Sequence, residues 1–320
     1  MLLPYIVIAV LLVAAMFLYF RIADRYNIID KPNQRSSHTI ITIRGGGVVF
    51  YLGALAWFCW SGFAYPWFFA GLTAITVISF LDDVFTLSNR LRLTVHLVSV
   101  LLMVYQLGAF ELPWYVLPAA LIIIIGTINA YNFMDGINGI TVSYSFAVLL
   151  SLWLANRQWG FIDDRLLYCT AIANGVFAFF NFRQRAKCFA GDVGSVSMCF
   201  ILLFATLSLI FASGNVIFIL FFAVYGVDSV LTIVHRLLKR ENIFEAHRSH
   251  LYQYLANEAR VNRLGVSAAY GVLQVLIGWM VVRLADAPVA TQLWFAAGIL
   301  GGLGLVYVVV KRYLIRKFVR

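Results

Sequence analysis

The chain alternates between long apolar runs and short polar connections over its whole length. Eleven runs are apolar enough to predict helices, and a helix that crosses a membrane needs about 20 such residues. The runs cover residues 2–20, 45–61, 66–81, 91–109, 114–128, 139–155, 166–182, 193–212, 215–237, 265–285 and 291–310. No internal repeat or separate polar domain interrupts them. The sequence therefore predicts a single integral-membrane domain over residues 1–320.

The composition supports the same class of protein. Hydrophobic residues make up 62% of the chain and charged residues 12%, with a mean hydropathy of +0.89. Soluble domains are about half apolar and about one quarter charged. We therefore expect an all-α polytopic membrane protein with about eleven transmembrane helices. The excess of 24 Lys and Arg over 14 Asp and Glu does not indicate nucleic-acid binding, because basic residues gather in the cytoplasmic loops of membrane proteins.

The distribution of basic residues predicts the orientation. Eleven spans place the two termini on opposite sides, and 21 of the 24 basic residues lie in or beside the connections on one side. The other three are Arg157, Arg165 and Arg283. The positive-inside rule then puts the N-terminus outside and the C-terminus in the cytoplasm.

Four acids from three separate connections share this cytoplasmic side. They are Asp82, Asp83, Asp135 and Asp192. Adjacent carboxylates at the C-terminal end of a helix are disfavoured by each other and by the helix dipole, so a cation should compensate Asp82 and Asp83. A divalent metal, Arg90 and Arg92 are the candidates. A solvated helix end with a local salt bridge is the alternative.

The stretch Asn129–Gly139 concentrates three asparagines, one aspartate and two glycines between two apolar runs. Lipid tolerates such a cluster only where it lines an aqueous site. If the preceding helix continues, Asn129, Asn132 and Asp135 share one of its faces. Amide and carboxylate oxygens suit Mg²⁺, which keeps waters and substrate phosphate as its other ligands. A turn capped by Asn and Asp is the alternative.

Two basic connections could bind phosphate. In the first loop, His38 and Arg44 accompany Gly45–Gly47, whose backbone N–H groups could approach an anion. The alternative is a basic loop at anionic lipid heads, with glycines that only begin a helix. Before the eighth run, Arg185 and Lys187 precede Asp192, which could bind metal or simply cap the helix.

The last cytoplasmic connection follows a buried acid. Asp228 lies thirteen residues past Asn215, about 20 Å along a helix, and an acid at that depth needs a partner or access to water. Arg248 and His250 then lie in a loop whose His and Arg spacing suits a diphosphate. A basic loop without a catalytic role is the alternative.

Taken in order, these stretches resemble the polyprenyl-phosphate N-acetylhexosamine-1-phosphate transferase superfamily, which includes phospho-MurNAc-pentapeptide translocase. The motifs that carry the resemblance are the Arg-Ser-Ser-His…Arg-Gly-Gly-Gly first loop, Asp82-Asp83, Asn129-x-x-Asn132-x-x-Asp135-Gly136, Gly191-Asp192-x-Gly194-Ser195, Asp228 and a last loop containing His. Their order, spacing and shared membrane face make the combination specific, and it covers most of the chain.

The resemblance implies a reaction and a set of roles. HexNAc-1-phosphate would pass from a UDP-sugar to undecaprenyl phosphate in the bacterial inner membrane, with release of UMP at the cytoplasmic face. Asp192 and Asn132 would hold Mg²⁺, for which Mn²⁺ could substitute. The implied catalytic residues are Asp82, Asp83, Asp135 and His250. The implied substrate-binding residues are His38, Arg44, Asn129, Asn138, Arg185, Lys187, Asp228 and Arg248.

Two departures from the family pattern point to one branch. The last loop reads His247-Arg-Ser-His250-Leu-Tyr252-Gln253 where many members have Asp-Arg-x-His-Leu-His-His, and Asn138 replaces an aspartate. Both resemble the branch that begins O-antigen synthesis on sugars such as FucNAc or QuiNAc.

Two other functions stay open at this point, as does assembly into a homodimer. A peptidoglycan-type phospho-MurNAc-pentapeptide transferase would share the motifs. A secondary transporter would need an internal repeat, which is not seen, and ionisable residues at the bilayer midplane, where Asp228 is the one candidate. A CDP-alcohol phosphotransferase is disfavoured, because its Asp-rich signature lies within one helix pair, which this chain lacks.

Overall fold

The computed structural model describes residues 2–32, 37, 40–242 and 248–318, and helices dominate these ranges. The helices are α1 Leu3–Tyr26, α2 Val48–Trp60, α3 Pro66–Phe85, α4 Asn89–Gln106, α5 Val116–Phe133, α6 Ile140–Trp159, α7 Asp164–Asn181, α8 Gly191–Ser213, α9 Ala223–Leu238, α10 Leu251–Gln253, α11 Arg263–Leu284 and α12 Val289–Phe318. Two-residue strands, β1 Ile29–Asp30 and β2 Thr42–Ile43, pair antiparallel in the first loop. The predicted all-α class is confirmed.

Each of the eleven predicted runs overlaps a helical segment, in the predicted order. Among the described residues, seven helices are long and apolar enough to cross a membrane by length and composition. They are α1, α3, α5, α8, α11, α12 and the helix that spans Val216–Leu238. Since α2 is shorter, the number of eleven crossings stays a prediction.

Helix α8 lies at the centre of the bundle. It packs against α2, α3, α5 and α6, and nearly all its side chains from Val193 to Thr206 are buried. Aromatic rings fill the contact with α3, where Phe68 stacks on Phe204 with ring centroids 3.8 Å apart. The central position of α8 means that its N-terminus opens into the space where several connections meet.

Two helices depart from regular α geometry. The ninth predicted run begins as a 3-10 helix, Val216–Phe222, and only then becomes α9. The short helix α10 continues as a π-helical turn, Tyr254–Glu258. Both irregular segments flank Asp228 and His250, whose surroundings are described below.

Candidate active site

The carboxylate of Asp83 closes the N-terminus of α8. Its two oxygens accept the backbone N–H groups of Asp192 and Val193, each at 3.0 Å, although more than one hundred residues separate them. Arg44 Nε lies 2.7 Å from Asp83 Oδ1, and the Asp83 side chain is fully buried. A helix N-terminus offers unsatisfied N–H groups and positive potential, so a buried carboxylate is well placed there. Asp83 therefore acts as an N-cap supplied by another helix.

Two arginines join the remaining acids of this cluster. Arg92 Nη1 lies 2.8 Å from Asp82 Oδ2, while Arg92 Nη2 and Arg44 Nη2 lie 3.3 and 3.4 Å from the two oxygens of Asp192. Asp82 also accepts the Leu87 N–H at 2.6 Å. The expected cationic compensation of the two adjacent acids thus comes from Arg44 and Arg92. Three carboxylates face two guanidinium groups, so the cluster keeps a negative excess.

This excess fits a hard cation that is shared with a substrate. Within the described ranges, no three His, Cys, Asp or Glu side chains already form a metal cage. Mg²⁺ is commonly held by one or two carboxylates together with substrate phosphates. Asp192 suits that use best, because both its arginine contacts are long and its side chain is 17% exposed, against 0% for Asp83 and 8% for Asp82.

Helix α5 ends at Phe133, so the predicted common face of Asn129, Asn132 and Asp135 does not form. Asn129 Nδ2 donates to Ile125 O in its own helix at 2.9 Å, and Asn132 is partly exposed. Asp135 lies in the following turn and accepts the Thr141 hydroxyl at 2.6 Å.

Asp135 lies close enough to the acid cluster to respond to its charge. Burial, reinforced by the negative charge of Asp192, raises the pKa of Asp135 to about 6, while the Thr141 hydrogen bond and Arg44 oppose that shift. The turn therefore faces the same polar space as α8.

Asn138 fixes the connection between α7 and α8. Its buried amide donates to the carbonyls of Arg183 and Gln184 at 2.8 and 3.2 Å. Asn181 adds a second tie, since its Oδ1 accepts Gly139 N–H and its Nδ2 donates to Cys188 O. The structure thus gives Asn138 a loop-holding position, and its substrate contact stays a prediction.

Arg185 and Lys187 are exposed in the connection that Asn138 fixes. They stand between α7 and the start of α8, where a phosphate could reach them from solvent. His38 lies outside the described residues.

The glycines of the first loop serve packing. Gly46 and Gly47 donate their N–H groups to the carbonyls of Phe189 and Ala190, at 2.9 and 3.1 Å. A β-carbon on Gly47 would lie 2.2 Å from the Gly194 Cα. These two N–H groups are therefore used within the protein, which favours the structural alternative over an anion cradle.

Asp228 and His250 form a second, deeper cluster. Asp228 is 3% exposed, and its carboxylate lies 3.3 Å from His250 Nδ1. It also accepts the Tyr270 hydroxyl at 2.8 Å and the Leu251 N–H at 3.0 Å. The structure gives Asp228 a role other than the predicted substrate contact, because protein donors surround its oxygens. Arg248 pairs with Glu258 at 2.6 Å and is partly exposed.

The family departures at Tyr252 and Gln253 have structural uses. The Tyr252 hydroxyl donates to Phe133 O at 3.0 Å, and a β-carbon on Gly136 would meet that hydroxyl at 2.2 Å. Gln253 Oε1 accepts the His250 N–H at 3.2 Å. Tyr252 therefore joins the His250 segment to the turn that carries Asp135.

The structure brings part of the predicted site together. Arg44, Asp83 and Asp192 are in direct contact through ion pairs and a backbone hydrogen bond, and Asp82 joins them through Arg92. Asp228 and His250 form a separate pair. Arg92 was considered only as a partner of the acid pair, and Thr141 and Lys311 were missed. The position of Arg92 could have indicated its role, since it lies at the start of an apolar run, ten residues after Asp82 on the predicted cytoplasmic side.

The sequence of this chain is similar to those of known transferases. Residues 65–212 match glycosyl transferase family 4. The chain is 27% identical over 301 residues to the "probable undecaprenyl-phosphate N-acetylglucosaminyl 1-phosphate transferase" of Bacillus subtilis, covering 86% of this chain and 81% of that protein. It is 26% identical over 290 residues to the undecaprenyl-phosphate alpha-N-acetylglucosaminyl 1-phosphate transferase of Escherichia coli K12, covering 80% and 77%. These matches confirm the resemblance to the polyprenyl-phosphate N-acetylhexosamine-1-phosphate transferase superfamily.

Proposed function

We propose that this chain, with its match to glycosyl transferase family 4, is a membrane enzyme that transfers HexNAc-1-phosphate from a UDP-sugar to undecaprenyl phosphate. The observation that carries the proposal is the convergence of Asp82, Asp83 and Asp192 with Arg44 and Arg92 at the N-terminus of the central helix α8. Acids that come from distant connections and keep a negative excess suit a metal and a diphosphate substrate.

The reaction is a single displacement at phosphorus. An oxygen of the lipid phosphate forms a bond to the sugar-linked phosphorus, and the bond from that phosphorus to the UMP oxygen breaks. UMP leaves with the electron pair of that bond. Bound Mg²⁺ or Mn²⁺ would offset the charge that develops on the leaving phosphate.

The surroundings of each residue suggest its role in the reaction. Asp192 would hold the metal with Asn132, since it is the most exposed acid of the cluster. Asp82 suits the deprotonation of the lipid phosphate better than Asp83, because the Asp82 side chain is 8% exposed, whereas the Asp83 side chain is fully buried against α8 and Arg44. Arg44 could release its acid partners and contact phosphate when substrate binds.

The donor end of the site would use the turn after α5 and the last loop. Asp135 would orient the nucleotide sugar, and His250 and Arg248 would contact its phosphates. We place the site at the cytoplasmic face of the bacterial inner membrane, because most basic residues lie on the predicted cytoplasmic side. The first committed step of O-antigen synthesis is the biological setting that we propose.

The test is UMP release by the purified protein with undecaprenyl phosphate, Mg²⁺ and a panel of UDP-HexNAc donors. We expect UMP with at least one donor and its loss in Asp192→Ala. Asp286→Asn, an exposed acid paired with Gln158 in the connection before α12, is the matched control and should keep activity. Absence of UMP with every donor, or full activity of Asp192→Ala, would refute the proposal.

The same panel tests the peptidoglycan-type alternative, and UMP release itself would argue against a secondary transporter. UDP-MurNAc-pentapeptide belongs in the panel, because a peptidoglycan-type enzyme would use that donor and reject the simple HexNAc donors. UDP-FucNAc and UDP-QuiNAc test the proposed O-antigen branch directly.

A further inference from the structure

Two buried ionisable residues on different helices hold the segment around His250 from both sides. Asp228 on α9 is 3% exposed, and Lys311 on α12 is also 3% exposed. A charge buried this deeply is costly unless it is paired and hydrogen-bonded. Most hydrogen bonds of these two side chains go to residues 249–252, which indicates that the two residues fix this segment.

Asp228 holds the residues that follow His250. It accepts the backbone N–H of Leu251 at 3.0 Å and that of Tyr252 at 3.4 Å. These groups form the N-terminus of the short helix α10, where N–H donors lack partners within the helix. The same carboxylate lies 3.3 Å from His250 Nδ1. One acid thus fixes both the backbone and the ring of the segment.

Lys311 holds the residue that precedes His250. Its ammonium donates to the Ser249 carbonyl at 2.6 Å and also to the Tyr307 hydroxyl. Lysine offers three donors and no acceptor, and these contacts use two of the three. Lys311 therefore fixes the backbone on the other side of His250.

A chain of hydroxyl groups joins the two charged residues. The Tyr307 and Thr232 hydroxyls lie 2.8 Å apart, and Thr232 Oγ1 donates to Asp228 Oδ1 at 3.3 Å. Because the lysine can only donate and the carboxylate can only accept, the proton direction runs from Lys311 through both hydroxyls to Asp228.

The arrangement sets the tautomer of the imidazole. A carboxylate has no proton to give, so the contact between Asp228 and His250 places the proton on Nδ1. A buried acid that orients a histidine in this way selects which ring nitrogen carries the proton.

We propose that Asp228, Thr232, Tyr307 and Lys311 form a clamp that positions His250 for the transfer reaction. The inference rests on the proposed function for the role of His250. Asp228 and Lys311 are positioning residues, because they act through His250 and not on the substrate.

The first experiment reads the tautomer directly and needs no substrate. The protein is labelled with ¹⁵N in its histidine rings, and the His250 signals are assigned by their loss in His250→Gln. We expect the Nδ1–H form in the wild type. Asp228→Ala should remove this preference, because no side-chain oxygen then remains to accept from Nδ1, whereas Asp228→Asn can keep its carbonyl oxygen at the position that accepts the Leu251 N–H and should retain the Nδ1–H form. An unchanged tautomer in Asp228→Ala would overturn the proposal.

The second experiment measures UMP release. Asp228→Ala should lower kcat by about tenfold or more, as loss of an outer-shell partner commonly does. In a His250→Gln background the same change should cause no further loss, because Asp228 acts through His250. An equal loss in both backgrounds would mean that Asp228 serves only stability, and it would overturn the clamp.

The chain offers a matched control for Lys311. Lys317 donates to the Tyr313 hydroxyl four residues earlier on α12, as Lys311 does to Tyr307, but its side chain is exposed. Lys311→Met should lower kcat and Lys317→Met should not, while Lys311→Arg should restore part of the loss. Equal effects of the two methionine variants would refute the role of Lys311. If the wild type releases no UMP, the proposed function fails, and the tautomer still decides whether the clamp exists.

Discussion

Replacing Asp83 by asparagine tests whether this acid holds the site together or takes part in the chemistry. In the structure its two oxygens accept N–H groups of α8 and one of them also pairs with Arg44. Asparagine keeps one acceptor oxygen, presents an amide N–H₂ to the other backbone donor and removes the charge. The Asp83 side chain and Val193 are buried, so water does not readily replace the partner that Val193 N–H loses.

The size of the effect follows from these losses. A buried donor left without a partner costs about 1–3 kcal/mol, and the lost charge at the helix N-terminus adds about 0.3–1 kcal/mol. Arg44 also loses its shortest ion pair, at 2.7 Å, but it is 34% exposed and keeps Asp192 as a partner. We therefore expect about 2–4 kcal/mol of destabilisation, which corresponds to a fall in Tm of about 5 °C or more.

The assay is thermal unfolding of the purified protein in detergent without ligands. Asp192→Asn is the informative comparison, because its contacts are longer and its side chain is more exposed, so its Tm should change little while its activity is lost. Asp286→Asn should change neither. If Asp83→Asn keeps the wild-type Tm yet releases no UMP, Asp83 is a chemical group and our reasoning about the cap is wrong.

Three further outcomes can be measured on the same protein. Because the folded pKa of Asp135 is about 6, above its ordinary 3.8, the folded state binds the proton more tightly than the unfolded state. The contribution of Asp135 to thermal stability without ligand should then fall as the pH rises from about 4 to about 6, and the fall should be smaller in Asp135→Asn. Gly47→Ala should strongly reduce the folded yield, since its β-carbon would lie 2.2 Å from a backbone atom of α8, whereas Gly126→Ala has open space and should be tolerated. In a variant without native cysteines, Ser88→Cys should be shielded from an impermeant thiol reagent in intact cells and Gln158→Cys should react; the reverse pattern would refute the orientation.

Much of the fold could be predicted because a membrane restricts the choices. Apolar runs must become helices when lipid offers no hydrogen-bond partners, so the positions of eleven helices followed from composition along the chain. The exact ends of these helices could not be predicted from composition. Helix α5 ends before Asp135 because the turn at Gly136 packs against Tyr252, and that contact joins residues more than one hundred positions apart.

The site was predictable in its acids and not in its partners. Charged residues at membrane boundaries are conspicuous, so Asp82, Asp83 and Asp192 could be selected from sequence. Asp83 caps α8 and Asp192 stays accessible because of the way in which α3 packs against α8. No local sequence pattern encodes that packing. The role of Lys311 could not be predicted for a similar reason. Lys311 follows the last apolar run, where a basic residue is typical of the cytoplasmic side, and its contact with Ser249 is not encoded locally.

The 3-10 segment Val216–Phe222 sets the depth at which Asp228 lies. A 3-10 helix rises about 2.0 Å per residue, against about 1.5 Å in an α-helix, so these seven residues reach about 3.5 Å further along the run. That difference is as long as the contact between Asp228 and His250. This apolar segment thus works as a spacer. A change from 3-10 to α geometry would move Asp228 along the helix axis and away from the His250 loop that Asp228 holds.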